Sequence, residues 1–482
     1  MADRIPTEMI EKIFVSACYI DRPTCATICR TNRLGRDVAT PILYETIGCE
    51  DFVKDGDYRT RKLALLLGTL LRNRKLARHV RRISHRVDRT LYGRCYGLPP
   101  PLDYDAFNHL ITEELRLCDD VLEAVLDWTE GQRYIPTVPP RDVKKLESEQ
   151  NPWKRIILDA APLLALLILA CPEVETLKLR GRIDTLWSVA SLNQILTRDP
   201  YERSGTEEIL EYNRNHGCWS VRNTELCVNE DSPETAEQII QDLIYLPGLK
   251  FLRIEQLWDG VYQTPRSTAT SSTIQHLEIL DLGLGIEELT PLITHCNMLK
   301  TLVMSWEEMY DHFCHTDASY RIDWRRFGEE TLRWTRQLEE LKLDMKPEVV
   351  RPDWAWVARV TGNHEIKKQI NFCGIGDLKA LKRLRKVTAP DFVLFGYFED
   401  KEQREDWTLD EILPASCQEV EIFCADPEFS QTDRELLSSP GTERLEDVTI
   451  FNCRRVRDDE WTRERWISKR NGEGMTGGIK TF

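Results

Sequence analysis

One phrase recurs through the later two-thirds of this chain and limits its fold more than any other feature. It reads apolar-x-x-apolar-x-apolar, a turn feeding a short strand with alternate residues buried. It stands at Val174/Leu177/Leu179, Leu249/Leu252/Ile254, Leu277/Leu280/Leu282, Leu299/Leu302/Met304 and Leu338/Leu341/Leu343. Weaker copies stand at Leu384/Val387/Ala389, Cys417/Val420/Ile422 and Leu445/Val448/Ile450. Counted on the middle residue, the steps are 75, 28, 22, 39, 46, 33 and 28 residues, so the long ones imply insertions, chiefly at 197–234 and 306–330. Apolar helical segments precede several copies: residues 163–170, then Ile239, Ile240, Leu243 and Leu246, then Ile286, Leu289, Leu292 and Ile293. Helix then strand, repeated, gives an α/β solenoid with parallel strands inside and helices outside. An all-helical solenoid is the rival architecture, and the alternation in LKTLVM and LEELKL argues against it.

The residue between the last two apolar positions of each phrase is predicted to face solvent. That places Lys178, Arg253, Asp281, Val303, Lys342, Thr388, Glu421 and Thr449 in one row along a concave face. Their mixed charge suits a protein or peptide client better than a nucleic acid. The formal net charge of -15 points the same way, because an acidic chain repels phosphate backbones. The basic run at 78–86 (RHVRRISHR) reads as a solvated helix face or a partner surface.

With 482 residues the chain exceeds one ordinary core and fits several domains or a repeat array. Fifteen scattered cysteines and a charged N-terminus without an apolar leader predict reduced thiols, in the cytoplasm or nucleus. The one membrane-like run, 156–170, is short and carries Asp159 and Pro162, so a buried helix is expected and no membrane partner.

The first fifty residues predict three short helices. Ile10, Ile13, Phe14 and Ala17 give the first an apolar face, with Pro6 tolerated in its opening turn. Asp21 precedes a second start, with Pro23 just inside and Ile28 as its apolar residue. Residues 36–38 begin a third piece, which Pro41 is expected to interrupt before Leu43 and Tyr44. Three such helices cannot bury all their apolar surface alone.

This stretch resembles an F-box, the helical module that docks on the Skp adaptor of cullin-RING ubiquitin ligases. The family opens Leu-Pro-x-Glu-x-Leu-x-x-Ile-Phe; here Ile5-Pro6-Thr7-Glu8-Met9-Ile10 precedes Ile13-Phe14. Fungal members close Pro-x-Leu-Tyr-x-x-Ile; here Pro41-Ile42-Leu43-Tyr44-Glu45-Thr46-Ile47 does. Ile28-Cys29-Arg30 fits the middle of the pattern, but the tryptophan expected after it is absent. The later half resembles the irregular leucine-rich repeats that often follow an F-box. The resemblance implies a non-catalytic substrate-recognition subunit of an SCF-type ligase, which binds the adaptor, and a cullin through it, and holds a client on the repeats. It implies that Ile5, Pro6, Ile10, Ile13, Phe14, Leu43 and Tyr44 carry adaptor docking or shape the module that does. The alternative is a leucine-rich-repeat scaffold whose F-box-like cap assembles no ligase. The expected organisation is an F-box-like module at 1–50, a helical region at 51–152, the repeat solenoid at 153–455 and a flexible tail at 456–482.

No motif argues for catalysis. The sequence has no Walker-type phosphate loop and no Gly-x-Ser-x-Gly elbow. His312, Cys314 and His315 lack the paired Cys-x-x-Cys that a zinc site would add, so no metal and no cofactor are expected. Cys25 and Cys29 read as small buried residues. Trp258 and Trp306 follow strand phrases, and Trp324, Trp334, Trp354 and Trp356 crowd one region, as client contacts or as filling for irregular repeats.

Overall fold

The computed structural model describes residues 6–48, 56–87, 170–181, 220–228, 248–257, 272–282, 286–306, 324–345, 374–396, 408–424, 445–457 and 460–470, with isolated positions in two helical segments. Ile5, residues 88–163, His312, Cys314, His315, Trp258, Trp354 and Trp356 lie outside the described residues. The chain divides into two units, Met1–Leu249 and Lys250–Phe482.

The first unit opens with α1 (Thr7–Cys18), α2 (Arg22–Thr31) and α3 (Arg33–Glu45). Side chains fix where each begins. The Asp21 carboxylate accepts the Thr24 amide at 2.6 Å, and the Asn32 side chain accepts the Gly35 amide at 2.7 Å. These caps satisfy amides that have no partner inside the helix. Gly35 is needed because α2 and α3 touch there: a Cβ would stand 2.5 Å from the Ile28 carbonyl oxygen. Pro41 does not break α3, contrary to expectation. The carbonyl it leaves without a donor belongs to exposed Asp37, where water serves, while Ala39 and Ile42 on either side pack into the bundle.

From α3 the chain runs straight into β1 (Thr46–Gly48). Two helices follow, α4 (Gly56–Arg72) and α5 (Arg74–Ala77), and then β2 (Arg82–Val87), β3 (Thr176–Gly181) and β4 (Asn223–Val228). Each strand lies parallel to its predecessor. The basic run at 78–86 is therefore not a helix face; it supplies β2, and Ile83 is buried beneath it. The expected insertion at 197–234 likewise contains a strand, β4. Its buried slot is filled by Thr224 beside Leu226, which broke the apolar pattern.

The second unit repeats the plan. Its strands are β5 (Phe251–Glu255), β6 (His276–Leu280), β7 (Thr301–Trp306), β8 (Glu340–Met345), β9 (Lys386–Pro390), β10 (Glu419–Cys424) and β11 (Asp447–Arg457), parallel and in chain order. β12 (Glu460–Arg470) returns antiparallel to β11, so the described residues 456–457 and 460–470 of the expected flexible tail are strand. Helix α6 (Ile286–His295) precedes β7, and helical turns at Trp324–Arg326, Phe327–Thr331 and Leu332–Trp334 precede β8. One row of the ladder reads Leu252, Leu277, Leu302, Leu341, Val387, Val420, Val448, all buried. A fully buried leucine contributes about 1.5–3 kcal/mol, so this row is a main source of stability.

A backbone device joins the repeats. At most of the described entry turns one carbonyl oxygen accepts two amides from the next repeat. Gln275 and His276 donate to Lys250, Lys300 and Thr301 to Gln275, Glu339 and Glu340 to Lys300, and Arg385 and Lys386 to Glu339. In the first unit Glu175 and Thr176 donate to Arg81, and Arg222 and Asn223 to Glu175. Two successive three-residue turns precede β3, β5, β7, β8 and β9, so the apolar phrase extends backwards there, as in Ile293/Cys296/Leu299/Leu302/Met304. Burial pushes the Cys171 and Cys296 thiols in these turns up to about 12, which makes them inert packing. Each unit is thus solenoid-like, with strands added one by one behind helical or turned segments.

Candidate protein-interaction surfaces

The helical bundle closes around Cys18, Cys25, Ile28 and Ala39, with Phe14, Ala17, Cys29, Ile42 and Leu43 packed against them. Burial raises the Cys25 thiol to about 12, and the neighbouring Cys18 and Cys29 push it the same way, as a core residue rather than a reactive one. Phe14 and Leu43, both expected at the adaptor site, shape the bundle from inside. Arg22 donates to the carbonyls of Leu43 and Thr46, which ties the start of α2 to the end of α3. Tyr44 and Ile10 are half-buried.

α1 leaves apolar surface uncovered. Met9 and Ile13 are 55% and 54% exposed, and Ile20, just past the helix end, is 77% exposed. Pro6 is exposed as well. On a helix of 3.6 residues per turn, Met9 and Ile13 fall on one stripe, with Pro6 just before the helix and Ile20 just past it. The sequence reading named Pro6 and Ile13 but not Met9 or Ile20; the spacing of four and seven from Ile13 was the available signal.

The second surface is the open face of the strands. In the first unit a row runs Gly48, Ser84, Lys178, Glu225. Lys178 and Glu225 pair at 2.6 Å, and Arg82 and Arg180 flank them on the same face. In the second unit the matching row is Arg253, Glu278, Val303, Lys342, Thr388, Glu421, Thr449. Six of these were expected there, but Asp281 was not placed correctly. It lies beyond β6 with φ at +57°, where the chain has already left the strand, and Glu278 takes its slot. Thr388 and Thr449 share the row but are buried, not solvent-facing, because their short side chains sit below longer neighbours. The Thr388 hydroxyl donates to Glu421 at 3.1 Å.

Rows on either side carry Phe251, His276, Thr301, Glu340, Lys386, Glu419 and Asp447, and Glu255 and Asp344 beyond. Carboxylates outnumber cations in these rows; Lys342 lies 3.9 Å from Asp344, and Lys386 and Arg253 are each held by two carboxylates. Lys386 lies 3.6 Å from Glu419 and 3.3 Å from Glu421; Arg253 lies 2.7 Å from Glu255 and 3.5 Å from Glu278. Burial alone would lower Lys386, but Glu421, Glu419 and Glu340 outweigh it and hold the ammonium above its usual value. Phe251 stacks on His276 at 4.8 Å. The tryptophans divide: Trp306 and Trp324 are core, edge to face at 5.5 Å, and Trp334 is exposed under Arg333.

Among the described residues no group of histidine, cysteine or carboxylate side chains is placed to hold a metal ion, and no helix is long and apolar enough to cross a membrane. No protein-family model matches the chain. No curated protein matches it significantly.

Proposed function

We propose that this chain is a substrate-recognition subunit of an SCF-type cullin-RING ubiquitin ligase. α1–α3 act as the F-box-like module that binds a Skp-family adaptor, and the leucine-rich-repeat-like strands hold a client protein. The chain itself catalyses nothing and needs no cofactor; it raises the concentration of a client beside the ubiquitin-loaded enzyme. Its working place is the cytoplasm or nucleus.

The observation that carries this reading is the bare apolar stripe of α1 on a bundle that is otherwise closed. Pro6, Met9 and Ile13 fall at the opening of the F-box-like pattern, where a partner helix would cover them. Parallel strands joined directly to that bundle suit a module that presents clients.

The test is co-purification of the tagged full chain with a Skp-family adaptor and cullin. Replacing Met9 and Ile13 together by serine should abolish adaptor capture while the thermal melt stays unchanged. Undiminished capture by the folded double variant would end the assignment. Adaptor without cullin would favour the scaffold alternative.

A further inference from the structure

We propose that the entry turns before β8 and β9 form a docking surface for a short acidic segment of a partner protein. The inference goes beyond the adaptor reading and does not depend on it.

Three observations carry it. First, the stretches 332–338 and 378–385 hold six cations and no carboxylate, in a chain of net charge -15. They are Arg333, Arg336, Lys379, Lys382, Arg383 and Arg385, and all six are exposed. The equivalent turns on either side, 293–299 and 413–418, have no lysine or arginine, so the patch is confined to two repeats.

Second, the fold stacks these cations and leaves them unneutralised. In one repeat Thr335 donates to the Leu332 carbonyl and Leu338 to that of Thr335; in the next, Leu381 donates to Leu378 and Leu384 to Leu381. Matching turns give Arg336 and Lys382 one position, and Arg333 and Lys379 another. The bond from Arg383 to the Gln337 side chain, one position further on, fixes the same alignment. The four cations therefore stand on a grid, with backbone spacings of about 6 Å along the turns and about 4.8 Å across the repeats. Among the described residues none of the six stands in an ion pair. The bordering carboxylates are engaged elsewhere. Asp377 accepts the Lys379 amide at 2.7 Å, Glu339 lies 4.0 Å from Lys300, and Glu411 accepts the Thr408 amide at 2.8 Å. The open strand face is the contrast, because Arg253, Lys342 and Lys386 each have a carboxylate there. Like charges on adjacent repeats repel, and an incoming anion relieves that repulsion.

Third, an aromatic side chain stands bare among these cations. Trp334 is 57% exposed, while Trp306 and Trp324 are buried. The Arg333 guanidinium lies 5.5 Å from the centre of the Trp334 ring. Tryptophan and arginine together are the residues most enriched where binding energy concentrates in protein interfaces.

The same features select the partner. An extended peptide with a carboxylate at every second residue spaces them about 7 Å apart, close to the grid, and an apolar residue of that peptide can cover Trp334. A nucleic acid is a longer polyanion and would run off two repeats onto an acidic protein.

The test uses the purified full chain and three fluorescein-labelled probes. One is a peptide of about ten residues with glutamate at every second position and a central leucine; one has lysine in place of glutamate; one is a single-stranded DNA oligomer of the same charge as the first. The glutamate peptide should bind best, with affinity falling at least about tenfold from low to high salt. The double variant Arg336→Glu, Lys382→Glu should lose at least about tenfold, and Trp334→Ala about threefold or more. Lys75→Glu with Arg78→Glu, the same charge change at exposed positions of the first unit, should lose little. Equal binding of the lysine peptide, tighter binding of the DNA, or equal loss in the first-unit variant would overturn the proposal. If the double variant does not melt cooperatively, Arg336→Gln with Lys382→Gln replaces it, with a smaller loss expected and an unchanged affinity counting against the proposal.

Discussion

The repeats and the front bundle treat their apolar residues differently. In the second unit the pattern is used up by the fold itself: Leu252, Leu277, Leu302 and Leu341 are all buried within the chain. In the bundle, helix α1 buries Cys18 and half-buries Phe14, yet leaves Met9, Ile13 and Ile20 in water. Both regions are rich in apolar side chains, so content does not distinguish them. What distinguishes them is size. Three helices of ten to thirteen residues have few positions to set against one another, whereas each added strand covers the previous one. The contrast teaches which apolar residues the fold covers and which it leaves exposed.

That contrast can be broken by mutation. Leu302→Ala should show the largest effect, a loss of about 3–5 kcal/mol, read by urea denaturation of the full chain. A loss below about 1 kcal/mol would mean that the repeat core is not close-packed. Gly35→Ala should cost about 1–3 kcal/mol because the added methyl meets the Ile28 carbonyl, and it should weaken adaptor capture by loosening the bundle. Acid should act more gently. Burial, helped by Arg81, lowers the His79 pKa from its ordinary 6.5, so the unfolded chain takes up this proton more readily than the folded one. Its contribution to stability is therefore complete above about pH 6.5 and is lost as pH falls through the lower folded value. The melting temperature of His79→Gln should accordingly fall less between pH 7 and pH 5 than that of the parent. Smallest of all, Ile13→Ser should shift stability by no more than about 0.5 kcal/mol while adaptor capture falls sharply. A large stability loss there would show that the stripe belongs to the protein's own core.

Much of this was written in the sequence where local chemistry decides it. Asp21 was visible as a helix start because a carboxylate before Pro23 has an obvious task, and the structure gives it that task. The alternation at Leu249/Leu252/Ile254 was equally plain. Where two periodicities overlap, the sequence misled. HLEILDL can be read with Leu280 and Leu282 inward, or with Leu277 and Ile279 inward. Only the neighbouring strands choose the second, and with it the steps of 28 and 22 residues become two equal steps of 25, from Leu252 to Leu277 and from Leu277 to Leu302. The strands β2 and β4 were missed because His85 and Thr224 stand in slots where the pattern demanded aliphatic residues. The Thr224 hydroxyl is buried without a hydrogen-bond partner, tolerated for the packing of its methyl rather than announced by the pattern. At the exposed stripe of α1, local reasoning found the helix face but not the whole of it, since exposure depends on what the rest of the chain fails to cover.

The carbonyl shared by two amides at most of the described entry turns has a consequence for how such a chain can vary. Registration between successive repeats is fixed by main-chain atoms alone, at one spot, before the strand begins. Whatever lies between one spot and the next can lengthen or shorten without disturbing the alignment, and the outward side chains can be exchanged without touching the spine. A lineage built on this joint is free to alter what it grips while keeping how it stands.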